Sequence, residues 1–218
     1  MDSIVRICRC VLEANIKSDA TSLRGYLVHL FVNDPEYHHH SDDPYHYPLV
    51  QYKNIKGKLI IIGIDTYAQH VFERISRLEK VILENYKASV NAVQIYFDEV
   101  IIKQQETRYS FYTPWIGLNQ KNYKKFRESG IDKRKLLEAI LVGNILSALK
   151  GMGIRADFRI QVSIQKFRSI PQITRHQGGK KNKFAGFYCN FNSNILLPEF
   201  IGLGKSVSKG FGVIERIK

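Results

Sequence analysis

The order in which hydrophobic periodicity changes along the first hundred residues limits the fold more than any other feature. Ile4 to Leu12 is apolar and rich in β-branched residues, which predicts a strand. Ser18 or Asp19 can cap a helix, after which Leu23, Tyr26, Leu27, Leu30 and Phe31 recur at three and four residues. Pro35 ends that helix. Leu49 to Lys53 and Lys58 to Ile64 flank the turn Asn54-Ile55-Lys56-Gly57 and predict a hairpin. Asp65 or Thr66 caps a second helix with the stripe Val71, Ile75, Leu78 and Ile82, and Val90 to Lys103 returns to strand composition. Strand, helix, strand, strand, helix, strand is the ferredoxin-like pattern, a split βαβ with its helices on one face of an antiparallel sheet.

The second half repeats the class without repeating the sequence. Tyr109 to Phe126 reads as a connector, and its Trp115 is expected to pack between domains. Asp132 caps a helix carrying Leu137, Ile140, Leu141 and Ile145, with Gly151 as its stop. Phe158, Ile160, Val162 and Ile164 alternate with Arg159, Gln161 and Ser163, as in a half-buried strand. A basic turn over 178–183 leads to the strand Phe184 to Phe191. The expected fold is α+β, with a ferredoxin-like first domain and a second, more degenerate sheet-and-helix domain. Residues 1–110 form the first, 111–130 a connector, and 131–218 the second.

Charge names the class of partner. The 218-residue chain has a formal net charge of +13. From Gly151 onward it carries 12 Lys+Arg against 3 Asp+Glu. So uneven a balance implies an anionic partner, nucleic acid first. The three cysteines, Cys8, Cys10 and Cys189, form no CxxC pair and suit a reducing compartment. There is no signal-peptide h-region and no apolar run of membrane length. A cytoplasmic location without a membrane partner is expected.

The tail from Leu196 to Lys218 sets four glycines, Gly202, Gly204, Gly210 and Gly212, around a basic, hydroxyl-rich loop, then ends in a short apolar-alternating strand. Free N–H groups in such turns make anion-binding concavities, and Lys205, Ser206, Ser208 and Lys209 add donors. Two nucleotide motifs fail here. A P-loop needs glycine where Glu199 stands, and a dinucleotide fingerprint needs one at Val207. The loop therefore reads as a phosphate site, and the chain's charge points to a polyphosphate. A basic strip accompanies it, made of Arg155, Arg159, Lys166, Arg168, Arg175, Lys180, Lys181 and Lys183, with His176.

After the first helix comes Tyr37-His38-His39-His40-Ser41-Asp42-Asp43-Pro44-Tyr45-His46-Tyr47. Histidines with His46 and an aspartate nearby can bind a transition metal, but the spacing lacks the i, i+4 pair of a helical zinc site. A solvated loop with chance histidines is the other plain reading. His29 falls among the apolar positions of a helix and reads as structural or surface; His70 carries no partner signal. Neither a metal nor a cofactor is expected.

The tail Leu197-Pro198-Glu199-Phe200-Ile201-Gly202-Leu203-Gly204-Lys205, continued by Gly210-Phe211-Gly212-Val213, resembles the C-terminal glycine-rich loop of the CRISPR-associated endoribonucleases that mature precursor CRISPR RNA, the Cas-six family. Tyr47-Pro48-Leu49-Val50-Gln51-Tyr52-Lys53 leading to Gly57-Lys58, and the connector around Thr113-Pro114-Trp115 and Leu118-Asn119, are similar too. Within the family the chain looks closest to the type I-B form. The resemblance implies two tandem ferredoxin-like (RRM-like) domains, the second more degenerate, with the glycine-rich loop as a backbone clamp for an RNA strand, and metal-independent cleavage within CRISPR repeat RNA by attack of a ribose 2′-hydroxyl, leaving a 2′,3′-cyclic phosphate and a 5′-hydroxyl. It admits other effector subunits or a second copy of the chain as protein partners, and a catalytically silent RNA-binding subunit as the alternative function. It also implies catalytic histidine just after the first helix, where this chain has His38, His39 and His40.

Internal phosphoester transfer needs a base, an acid and positive groups at the phosphate, and histidine suits both proton roles. On an extended segment residues 38 and 40 point the same way. His40 and His38 are therefore the acid–base candidates, with Tyr47 or Lys53 assisting at the phosphate. The expected RNA-binding residues are Lys53, Arg159, Lys166, Arg168, Gly202, Gly204, Lys205, Ser206, Ser208, Lys209, Gly210 and Gly212.

Overall fold

A computed structural model describes residues 3–14, 18–34, 37, 46–83, 86–177 and 180–217. The first sheet holds β1 (Ser3–Glu13), β2 (Val50–Ile55), β3 (Lys58–Ile64) and β6 (Ala92–Ile102), in the order β2-β3-β1-β6. The second holds β7 (Gln104–Phe111), β8 (Val162–Gln177), β9 (Lys180–Ile195) and β10 (Ile214–Arg216), in the order β10-β7-β9-β8. All these pairings are antiparallel. In each sheet the first strand in sequence lies between the third and the fourth, so both halves have ferredoxin-like topology.

The first half follows the expected order. The Asp19 carboxylate caps α1 (Ala20–Leu30) by accepting from the Ser22 amide at 2.7 Å, and α2 (Thr66–Ile75) follows β3. One expectation fails here. Leu78 and Ile82 do not extend the α2 stripe, because the helix stops at Ile75 and an extra hairpin follows, β4 (Lys80–Leu83) with β5 (Tyr86–Ser89). Val81 and Leu83 turn inward while Ile82 is 44% exposed, a period of two and not of 3.6.

The first sheet is covered on both faces. Cys8, Cys10, Leu12, Leu59 and Ile61 join α1 and α2 in one core cluster. Val5, Ile7, Val11, Ile60, Ile62 and Ile64 join the second half in the other. Burial on both sides is why β3 reads as an unbroken apolar run from Leu59 to Ile64.

In the second half β7 begins at Gln104, separated from the end of β6 by Lys103 alone. Those residues belong to the second sheet and not to a domain ending at 110. Two helices follow, α3 (Gln120–Arg127) and α4 (Lys133–Gly151), the latter capped by Asp132 at 3.1 Å. α4 lays Leu137, Leu141 and Ile145 against Tyr109, Phe111, Phe187 and Phe191 of the sheet. Trp115 is fully buried in this cluster, stacked on Phe111 with its indole N–H donating to Asn144 of α4, so it mainly serves its own half. Where a ferredoxin-like fold carries its second helix, between β9 and β10, this chain has residues 196–213, the glycine-rich loop with one 3₁₀ turn, Val207–Lys209. Among the described residues no helix is long and apolar enough to cross a membrane.

Candidate nucleic-acid interface

The glycine-rich loop is docked on the first half of the chain. The Tyr47 hydroxyl donates to the Gly202 carbonyl at 2.8 Å, the Gln51 side-chain oxygen accepts from the Gly202 amide at 3.0 Å, and Lys53 Nζ donates to the Val207 carbonyl at 3.1 Å. Gln51 and Lys53 alternate along β2 with Val50 and Tyr52, which point into the helix-side core. The opposite face would meet solvent in an isolated domain. Here the second half covers it, so Gln51 and Lys53 are both 0% exposed.

These contacts correct two expected roles. Tyr47 is 6% exposed and bound to the loop backbone, with burial raising its phenol well above the ordinary range. Lys53 lies beneath the loop, where loss of solvation lowers its ammonium to about 7. Neither side chain reaches a surface where a phosphate could bind. They position the loop.

The loop's own residues divide in the same way. Gly202, Ser208, Gly210 and Gly212 are buried, and Lys205 is exposed, with Gly204, Ser206 and Lys209 half-buried. Gly210, at φ +85°, sits against α1, where an added Cβ would fall 2.6 Å from that of Ala20. Much of the expected anion-binding backbone is already engaged. The amides of Leu203, Lys205 and Gly212 donate to Gly212, Ile116 and Pro114 carbonyls, and Val213 donates to the Thr113 hydroxyl. The loop is thus mainly a wedge between the two halves, with Lys205 as its outward cation.

Outward charge comes from the second sheet. A bulge after Ile164 shifts the phase of β8, so Ile164 faces the core while Lys166 and Arg168 both point out. The Arg168 guanidinium lies 5.1 Å from the Tyr188 ring centre. Arg159 is exposed but precedes the strand, and its carbonyl accepts from Asn194. The sequence reading missed α3, whose Lys121, Lys124, Lys125 and Arg127 add four cations and no carboxylate. The signal was present in Gln120-Lys121-Asn122-Tyr123-Lys124-Lys125-Phe126-Arg127, but a helix without a buried residue has no apolar stripe to betray it.

The candidate catalytic residues His38 and His40, with His39, lie outside the described residues. Their segment leaves α1 through Tyr37, a buried ring against Phe31 and 5.7 Å from His70. It returns at exposed His46, next to the Tyr47 that holds Gly202.

The two halves match two family models, the Cas6b N-terminal domain over residues 4–101 and the Cas6b C-terminal domain over residues 101–217. The chain belongs to the Cas6b family. The two models meet where the second sheet begins. A solved structure described as Cas6b superposes with a TM-score of 0.87 at 26% identity, covering 99% of this chain and 100% of that one. A second, described as the CRISPR RNA processing endoribonuclease Cas6b, gives 0.74 at 25% identity with the same coverage. An uncharacterised protein of Methanocaldococcus jannaschii is 35% identical over 136 residues, 62% of this chain and 89% of that protein. As a Cas6b chain this is a member of a family of CRISPR RNA processing endoribonucleases.

Proposed function

We propose that this chain cuts within CRISPR repeat RNA to mature guide RNAs, without a metal ion, and leaves a 2′,3′-cyclic phosphate and a 5′-hydroxyl. The observation that carries this reading is the docking of Gly202 on Tyr47. It ties the end of the histidine-bearing segment to the cationic second domain, which lies about 155 residues away in sequence. Lys205, three residues along the loop from Gly202, is the exposed cation that this docking brings toward the end of that segment.

In the reaction a base takes the proton of the ribose 2′-hydroxyl, and that oxygen bonds to the adjacent phosphorus. The bond from phosphorus to the 5′-oxygen breaks, and an acid protonates the leaving oxygen. His38 and His40 are assigned these proton transfers, with His40 the first choice; each such role is worth about 10²–10⁴-fold. Nearby lysine and arginine charge stabilises the phosphorane. We place the reaction in the cytoplasm. Cys8, Cys10 and Cys189, all free and buried, fit a reducing compartment.

The test is cleavage of the host's repeat RNA in EDTA with end-group analysis of the products. Cyclic-phosphate ends are expected, and His40→Ala should abolish them while RNA is still bound. Full activity of His40→Ala would remove the histidine assignment. Binding by the wild type without any cyclic-phosphate product would mark a silent RNA-binding subunit.

A further inference from the structure

A groove of about 340 Å³ opens between α3, the β8–β9 hairpin and the glycine-rich loop. Three separate pieces of chain build it. The hairpin supplies Gln172, Asn182, Lys183 and Phe184; α3 supplies Tyr123; the loop supplies Lys205. Among the described residues no carboxylate lines it. The volume lies at the small end of the range for ligand sites, about 300–1,000 Å³. Two lysines without an acid disfavour a cation, and amides beside aromatic rings disfavour a purely apolar guest. What remains is a flat, polar-edged ring carrying a negative charge.

α3 supports the same guest. It buries none of its residues and is anchored through Phe126, edge-on to Phe187 at 5.3 Å and beneath the Lys133 ammonium. Tyr123 remains 38% exposed on the groove wall. Lys121, Lys124 and Lys125 stand at i, i+3 and i+4, where like charges repel. These lysines do not line the groove itself, but a polyanion running along α3 relieves their repulsion, and its part seated in the groove covers the open ring.

We propose that this groove captures one unpaired nucleotide of the bound RNA. Its base stacks on Tyr123, its edge meets Gln172 and Asn182, and its phosphate lies between Lys183 and Lys205. This rests on the RNA-processing reading above and adds a position at which the repeat sequence is read. Gln172 and Asn182 become the specificity-determining residues and Tyr123 the platform that holds the base, all distant from the proton-transfer histidines in sequence.

The test couples the ring to the base. A 2′-O-methylated repeat RNA has no 2′-hydroxyl to attack and stays intact, so its affinity can be measured with one abasic nucleotide placed at each position in turn. The wild type should lose about five- to 150-fold in affinity at one position, the range for a single base stacked on an aromatic side chain. Tyr123→Ala should bind the intact RNA weaker by a similar factor and lose nothing further at that position. Tyr123→Phe should keep the wild-type profile, and Asn182→Ala, on the opposite wall, should change which base is preferred there. Additive losses at every position, or wild-type affinity in Tyr123→Ala, would overturn the groove assignment while cyclic-phosphate cleavage of unmodified RNA left the parent reading standing. Absence of any RNA binding by the wild type would overturn both.

Discussion

The Tyr47 hydroxyl donates to the Gly202 carbonyl at 2.8 Å across the junction between the two domains. Gly151, at the end of α4, closes on the same ring from another side; an added Cβ there would overlap Tyr47. One phenol thus fastens the glycine-rich loop, the long helix and the strand that follows the histidine segment.

Tyr47→Phe tests whether this phenol is structural or chemical. Removing the hydroxyl leaves a buried carbonyl without its donor, at a cost of about 1–3 kcal/mol. The melting temperature should fall by several degrees. Single-turnover cleavage below the melting transition should change far less than the 10² expected of a lost proton-transfer group. A large loss of rate with an unchanged melting curve would return Tyr47 to the catalytic set.

Lys53 makes stability depend on pH in an unusual direction. Its folded value is lowered to about 7, against 10.5 for the free side chain. Between those values the unfolded chain binds more protons than the folded one, so stability should rise as pH rises from about 7 toward 10.5. The contribution approaches about 1.4 kcal/mol per pH unit where the two states differ by a whole proton. Denaturant midpoints across that window should show the rise, and Lys53→Met should flatten it. An identical slope in both proteins would mean that the ammonium is solvated.

Gly210→Ala should loosen the loop for two separable reasons. The left-handed backbone at φ +85° costs an alanine about 1–2 kcal/mol. The new methyl also meets the Ala20 methyl at the start of α1. Ala20→Gly removes the second cost but not the first, so the double variant should recover only part of the lost stability. Additive losses in a thermal-melt cycle would show that loop and helix do not touch.

The parts of this fold that the sequence announces are those held by local signals. Asp19 and Asp132 cap helices through contacts three residues long, and the Asn54–Gly57 turn closes a hairpin whose strands are adjacent. The β4–β5 hairpin was hidden because Ile82 falls seven residues after Ile75 and so continues a helical period by coincidence. β7 was hidden because Gln104-Gln105-Glu106-Thr107-Arg108 looks polar until Tyr109 and Phe111 turn inward. The site is less legible than the fold. Lys53 carries a charge and alternates with Tyr52, and nothing within β2 says that another domain covers its polar face. The partner residues, Gly202 and Val207, lie about 150 residues away.

Lys166 and Arg168 should set the salt dependence of RNA binding. Each phosphate neutralised on a single strand contributes about 0.7 to the slope of log affinity against log salt. Lys166→Ala with Arg168→Ala should therefore flatten the slope by about 1.4 and weaken binding to all sequences alike. Arg168→Lys should not restore the full wild-type affinity, because the guanidinium lies within cation–π reach of the Tyr188 ring and also offers a phosphate a two-pronged donor that an ammonium lacks. Tyr123→Ala, which removes a ring and no charge, should leave the slope unchanged while lowering affinity. Titrations at several salt concentrations thus separate the two proposed roles, a grip of β8 on the phosphates of any strand and discrimination among bases by the α3 groove. An unchanged slope in the double variant would move the phosphate contacts off β8 and onto the lysines of α3.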